Sequence, residues 1–211
     1  FRRVLFRSMA HIPLFPLPLV VFPGGRLPLQ IFETRYVDMV KRCLREGSGF
    51  GVIMITEGDQ VLRDTEQQLP SVSRCGTYCS IVDFDELPNG MLGIMAEGVK
   101  KFVIRDEYEQ VDRLMMGDVE FLPDETPADM PDEQEHLSSL LESLMSHEAV
   151  QRLGLGCDMT QAGEVGARLT ELLPCPNEFK QRMLEIKDPL IRLGEVDKMV
   201  DAIQKRQSGR G

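Results

Sequence analysis

No stretch of this chain approaches the roughly 20 consecutive apolar residues of a membrane-spanning helix, although 42% of its 211 residues are hydrophobic. Signatures of common catalysis are missing too. There is no GxxxxGK(S/T) loop to cradle phosphates, no GxSxG elbow and no HExxH pair, which removes the familiar nucleotide, esterase and metalloprotease motifs. Histidine is scarce, with only His11, His136 and His147. A serine–histidine pairing of Ser138 or Ser139 with His136 or His147 stays open, but chance explains it as well. Cysteine is present without a framework. Cys43, Cys75, Cys79, Cys157 and Cys175 are odd in number, which fits a reducing cytoplasm. Cys75 and Cys79 would share one face of a strand about 13 Å apart, too far for a disulfide. With so few histidines to complete a ligand set, no metal and no cofactor are expected, and these cysteines read as small buried apolar residues.

Positive charge is also in deficit. Thirty-four acids face 24 lysines and arginines, for a net charge of −10. Three of those arginines fall in residues 1–8, which precede Met9, hold no acid and lack the apolar region of a secretion signal. We set residues 1–8 aside as a leader foreign to the fold, and the remainder is then three charges more acidic. Such a surface repels phosphate backbones, so no nucleic-acid partner is expected, and no membrane partner either. RNA binding would need a local basic face around Arg26, Lys41, Arg42 and Arg45.

What is present begins with proline-cut apolar pieces. Pro13, Pro16, Pro18, Pro23 and Pro28 punctuate residues 10–32. Because proline is confined to strand edges and strand starts, two or three short strands are predicted there, bent most sharply at Pro23-Gly24-Gly25. Tyr36, Val37, Val40 and Leu44 recur at helical spacing and predict a helix over 33–46, closed by Gly47. Strands follow at 50–55, 74–84, 91–96, 99–105 and 111–122, with a polar loop over 58–70. An Asn89-Gly90 hairpin turn with positive φ at both residues is expected, and a break at Glu97-Gly98. From Asp118 to Glu135 there are eight acids and no base, which reads as a solvated linker with a domain junction near residue 124.

The remainder reads as helices over 132–153, 160–172, 177–186 and 188–205, with Thr160, Asn177 and Asp188 as caps and a frayed tail at 207–211. The fold class is α+β: a β domain over 9–123 with one inserted helix, then a C-terminal helical bundle over 124–211.

Few side chains stand out for chemistry. Asp83, Asp85 and Glu86 flank the hairpin and read as solvation of an exposed turn. Glu33 and Arg35 open the first helix, where Arg35 could pair with a carboxylate, cap loop carbonyls or contact a ligand. Phe32 and Tyr36, four apart, could be core or a rim anchor for a partner. Met91, Met95, Met115 and Met116 could be core or an adaptable apolar surface.

The segment from Pro13-Leu-Phe-Pro-Leu-Pro-Leu-Val-Val-Phe-Pro-Gly-Gly to Ile31-Phe-Glu-Thr-Arg-Tyr36 resembles the N-terminal domain of Lon proteases. Cys75-Gly-Thr, the Leu87–Gly90 turn, Glu97-Gly98 and the basic-aromatic strand Lys100-Lys101-Phe102 are similar to that family's pattern, and so, more weakly, is Leu169 to Met199. The family more often has arginine where Lys100-Lys101 stands. The resemblance implies a PUA-like β pseudo-barrel followed by a helical bundle. It also implies a non-catalytic substrate-recognition module without the ATPase and Ser–Lys peptidase modules, active in cytoplasmic protein quality control. Its implied partners are unfolded or degron-bearing polypeptides and a protease or chaperone. Its implied binding residues are Phe32, Arg35, Tyr36, Glu97 and Lys101, near the barrel–helix junction. An acidic surface favours basic clients. The alternatives are a small-ligand-binding protein or hydrolase, which needs a concave polar pocket, and a PUA-like RNA binder.

Overall fold

In the computed structural model, which describes residues 9–61 and 67–208, the prolines of the opening segment do not cut it into short pieces. Strand β1 runs from Met9 to Leu17 with Pro13 and Pro16 inside it. Its first half pairs antiparallel with β7 (Met115–Phe121), and Leu14 to Leu17 pair in parallel with β3 (Phe50–Glu57). Each half thus has one neighbour, which leaves an unpaired side for a nitrogen that has no proton to donate. The readings of residues 1–8 as a leader, of the centre of the polar loop and of the last residues of the tail lie outside the described residues.

The chain divides into two compact units, with Pro123 ending the first and Asp124 beginning the second. The first holds a seven-stranded sheet. Between β1 and β3 come β2 (Arg26–Ile31) and helix α1 (Thr34–Glu46); β4 (Ser71–Val72), β5 (Cys75–Glu86) and β6 (Leu92–Glu109) precede β7. Pairings run β1-β7-β6-β5-β3, and the β1–β3 pairing closes the circuit. Strand β4 pairs with β3, and β2 pairs with β6. Helix α1 ends where expected, with Gly47 left-handed at φ 64°. It buries Tyr36, Met39, Val40 and Cys43 against Phe15, Phe50 and Val52. A second cluster gathers Ile12, Leu14, Ile53, Phe102, Ile104 and Val119.

Two local expectations are corrected. The break at Glu97-Gly98 is instead a bulge inside one 18-residue strand, β6. Tyr78 pairs with Lys100 and Cys79 with Gly98, which leaves Val99 unpaired. Gly98 belongs there because a Cβ would strike the Phe22 carbonyl, while its N–H donates to the Gly25 carbonyl at 2.9 Å. The hairpin turn also differs. Gly90 is left-handed at φ 77° but Asn89 is not, and the Gly90 N–H donates to the Leu87 carbonyl at 2.8 Å. Pro88 and Asn89 are therefore the central pair, because the φ fixed by proline suits the second position of a type I turn and glycine suits the fourth.

The second unit holds α2 (Glu135–Met145), α3 (Glu148–Gln151), α4 (Ala162–Leu172), α5 (Asn177–Glu185) and α6 (Pro189–Ser208). The single helix expected over 132–153 is broken: a 3-10 turn occupies Asp132–Gln134, and His147 is extended between α2 and α3. Asp188 does cap α6, its Oδ1 accepting from the Leu190 and Ile191 amides at 2.9 and 3.3 Å. Thr160 and Asn177 do not cap their helices. Gln161 and Pro176 hold those positions without a side-chain bond, and the Thr160 hydroxyl turns to Asp158 instead, at 2.6 Å.

The acidic stretch is not simply solvated. Met130 N–H donates to the Thr160 carbonyl and Ala162 N–H to the Ala128 carbonyl, each at 2.8 Å. Glu125 receives both Nη atoms of the buried Arg192, and in the first unit Glu120, itself buried, pairs with Arg105. An unpaired charge is costly away from water, so the buried Arg192 and the buried Glu120 each take a counter-charge.

Candidate binding groove

Strand β2 pairs with the first half of β6, and the second half of β5 pairs with the same stretch of β6 from the other side. Directly opposed residues share a face. One face carries Leu27, Leu29, Ile31, Ile94 and Ala96 toward the core. The other carries two rows, Pro28–Met95–Asp83 and Gln30–Gly93–Asp85.

Those rows line a groove of about 380 Å³, which Leu87 also borders. Gly93 leaves its floor bare, and a Cβ there would lie 2.9 Å from Leu87 Cδ2. Phe84, 59% exposed, lies between the two aspartates on β5, but it pairs with Ile94 and its side chain leaves on the other face. Asp83 and Asp85 are the charged residues of the lining among the described residues. Their Oδ1 atoms accept the amides of Phe84 and Glu86 at 2.9 and 2.8 Å.

The five residues singled out from the sequence have different settings. Phe32 directly follows β2 and is 58% exposed. Arg35 is buried: Nη1 donates to the Arg113 carbonyl at 2.8 Å, Nη2 pairs with Glu33 at 2.8 Å, and Cζ lies 4.6 Å from the Tyr36 ring centre. Tyr36 is not a surface anchor but core, 4% exposed and stacked on Phe15 with centroids 4.0 Å apart, because its position on α1 faces the sheet. Glu97 lies on the groove face one row beyond Met95, tied to Arg26 at 2.8 Å. Lys101 is buried, beyond the Val99 bulge and opposite Thr77, so it is not a surface contact. The structure therefore sets Glu97 on the groove face one row beyond the lining, leaves Phe32 exposed, and buries Arg35, Tyr36 and Lys101.

The setting of Tyr36 has a measurable consequence. Burial, opposed by Arg35 and aided by Glu33, pushes its phenol up to about 12. A folded pKa raised above the unfolded one gives stability that is present below the unfolded pKa and lost as pH rises through the folded one. Roughly 2–3 kcal/mol should therefore be lost between about pH 10 and about pH 12. Urea midpoints across that window should fall less steeply for Tyr36→Phe; an equal slope refutes the assignment.

The groove residues themselves were missed, except as a turn acid pair and an adaptable methionine. The available signal was the alternation Arg26-x-Pro28-x-Gln30 facing Asp83-x-Asp85. Other candidate chemistry is dispersed. Ser138 Oγ donates to the Met159 carbonyl at 3.1 Å, and His136 pairs with Asp197 at 2.9 Å, so no serine–histidine pair forms between them. The five cysteines are free thiols. Burial pushes Cys157 up to about 11 and raises Cys43 as well, away from reactive thiolates. Among the described residues no His/Cys/Asp/Glu group is placed to hold a metal, and no helix is long and apolar enough to cross a membrane.

Comparison with known proteins gives a consistent match. A family model described as the ATP-dependent protease La (Lon) substrate-binding domain covers residues 11–202. Lon protease of Parabacteroides distasonis is 30% identical over 138 residues, which is 63% of this chain and 16% of that protein. Lon protease 1 of Bacillus subtilis is 24% identical over 196 residues, 88% of this chain and 24% of that protein. The chain thus spans about a quarter or less of the length of these curated relatives. The crystal structure of a Lon N-terminal domain protein from Xanthomonas campestris matches with a TM-score of 0.70 at 29% identity, over 89% of this chain and 96% of that one. The N-terminal domain of a Mycobacterium avium complex Lon protease matches at 0.54 with 14% identity over the same shares, a likeness of fold alone.

Proposed function

We propose that this chain, which belongs to the Lon substrate-binding domain family, is a non-catalytic module that takes up unfolded or degron-bearing polypeptide in the β2–β6–β5 groove. The observation that carries this reading is the open apolar groove of Pro28, Leu87 and Met95. Folded proteins bury such side chains, and a groove that presents them suits the apolar residues that only an unfolded segment exposes. Phe32 is proposed as a further contact. Arg35 and Tyr36 act by positioning, since both are buried in the first turn of the helix that follows it. Glu97, paired with Arg26, lies on the same face one row beyond the groove.

The closed circuit of strand pairings supports a PUA-like pseudo-barrel, and the helices of the second unit a bundle. The net charge of −10 and the Arg26–Glu97 pair weigh against RNA. Free thiols fit a cytoplasmic setting, where a protease or chaperone would receive the clients.

The test is fluorescence anisotropy of a labelled, permanently unfolded polypeptide beside a folded control. Binding to the unfolded chain alone, weakened about tenfold in folded Leu87→Ala and Met95→Ala variants, supports the site; about tenfold corresponds to roughly 1.4 kcal/mol. No binding up to about millimolar, roughly −4 kcal/mol, overturns the function.

A further inference from the structure

From the charges that line the groove, and resting on the polypeptide-binding reading above, we infer that it selects extended segments in which an apolar side chain is flanked by lysine or arginine. The groove is apolar along Pro28, Met95 and Leu87, and its charged lining residues, Asp83 and Asp85, are both negative. Each aspartate has one oxygen held by the amide of the next residue, and among the described residues neither makes an ion pair. Arg26, the cation on the same face, is engaged by Glu97 at 2.8 Å and does not neutralise them.

Spacing makes the charge pattern readable. The two rows are two residues apart along each strand, about 7 Å. An extended peptide presents its same-side residues at that interval. An apolar side chain over Met95 therefore brings a residue two positions away over Gly93 and beside Asp85, with Asp83 one row off, and one over Gly93 brings its neighbour beside Asp83. A cation there gains from both, while an acid is repelled by both.

Three peptides with one apolar core and lysine, glutamine or glutamate flanks test this by anisotropy. The lysine-flanked peptide should bind about tenfold tighter than the glutamate-flanked one at low salt, the scale of two partly exposed pairs, and the ratio should shrink as salt rises. In Asp83→Asn/Asp85→Asn, checked for a wild-type urea midpoint, the ratio should collapse while the glutamine-flanked affinity holds. Neutralising Glu133 and Glu135, exposed acids of the second unit, should leave the ratio intact. Equal affinities in the wild type, or a ratio that survives loss of both aspartates, overturn the charge selection alone. Failure of all three peptides to bind overturns it together with the polypeptide-binding reading.

Discussion

Alanine at Glu125 should lower the stability of the second unit by about 3 kcal/mol, the lower end of what is lost when one partner of a buried ion pair is removed. Arg192 is 1% exposed. Its Nη1 donates to Glu125 Oε1 at 2.7 Å, its Nη2 donates to Oε2, and Nη2 also lies 3.4 Å from the Gly163 carbonyl. Without the carboxylate a guanidinium would remain out of water with its main counter-charge gone. Glu125 keeps 24% of its side chain exposed, so water recovers part of the cost. For a unit of this size about 3 kcal/mol is a fall of more than about 10 °C in midpoint.

The chain supplies its own probe for this experiment. It has no tryptophan, and its three tyrosines, Tyr36, Tyr78 and Tyr108, all lie in the first unit. Far-ultraviolet circular dichroism should therefore show an early transition of the helical signal while tyrosine emission keeps its wild-type midpoint. Replacing the pair together, Glu125→Leu with Arg192→Met, should restore most of the loss, because apolar groups of similar volume need no counter-charge. A midpoint within about 1 kcal/mol of wild type in Glu125→Ala would show that the pair contributes little.

That ion pair also marks where reading the sequence stopped. Periodicity and caps located α1 with its Gly47 terminus and the Asp188-Pro189 start of α6, because those signals lie within one turn of chain. A run of acids carries no sign of which member has a buried partner 67 positions away, as Glu125 does. Likewise Glu97-Gly98 looked like a strand break, and only the passage of Phe22 beside Gly98 makes it a bulge. Phe32 stays open between core and rim in the sequence, and its exposure shows only in the structure. The groove was not legible, since Pro28, Met95 and Asp83 form a row only through two registers. One of these depends on the irregularity that leaves Val82 unpaired, which pattern reading does not place.

Phe102→Ala should cost the first unit about 3–5 kcal/mol, the range for deleting a buried aromatic ring. Phe102 is 0% exposed, and the glycines around it are shaped to its ring. A Cβ at Gly51 would lie 2.7 Å from Phe102 Cζ and 2.8 Å from Leu14 Cδ2. A Cβ at Gly76 would lie 2.7 Å from the same ring carbon and 2.6 Å from the Val52 carbonyl oxygen. The two positions should therefore respond differently when the ring is gone. Gly51→Ala should overpack the wild type by about 1–3 kcal/mol and cost less in the Phe102→Ala background, because two of its three nearest contacts are ring atoms and the third is the movable Leu14 side chain. Gly76→Ala should stay costly in both backgrounds, since the Val52 carbonyl is backbone and does not yield. Urea titrations followed by tyrosine emission measure the couplings as double-mutant cycles. Additive costs at Gly51 would mean that the ring does not set the need for glycine there.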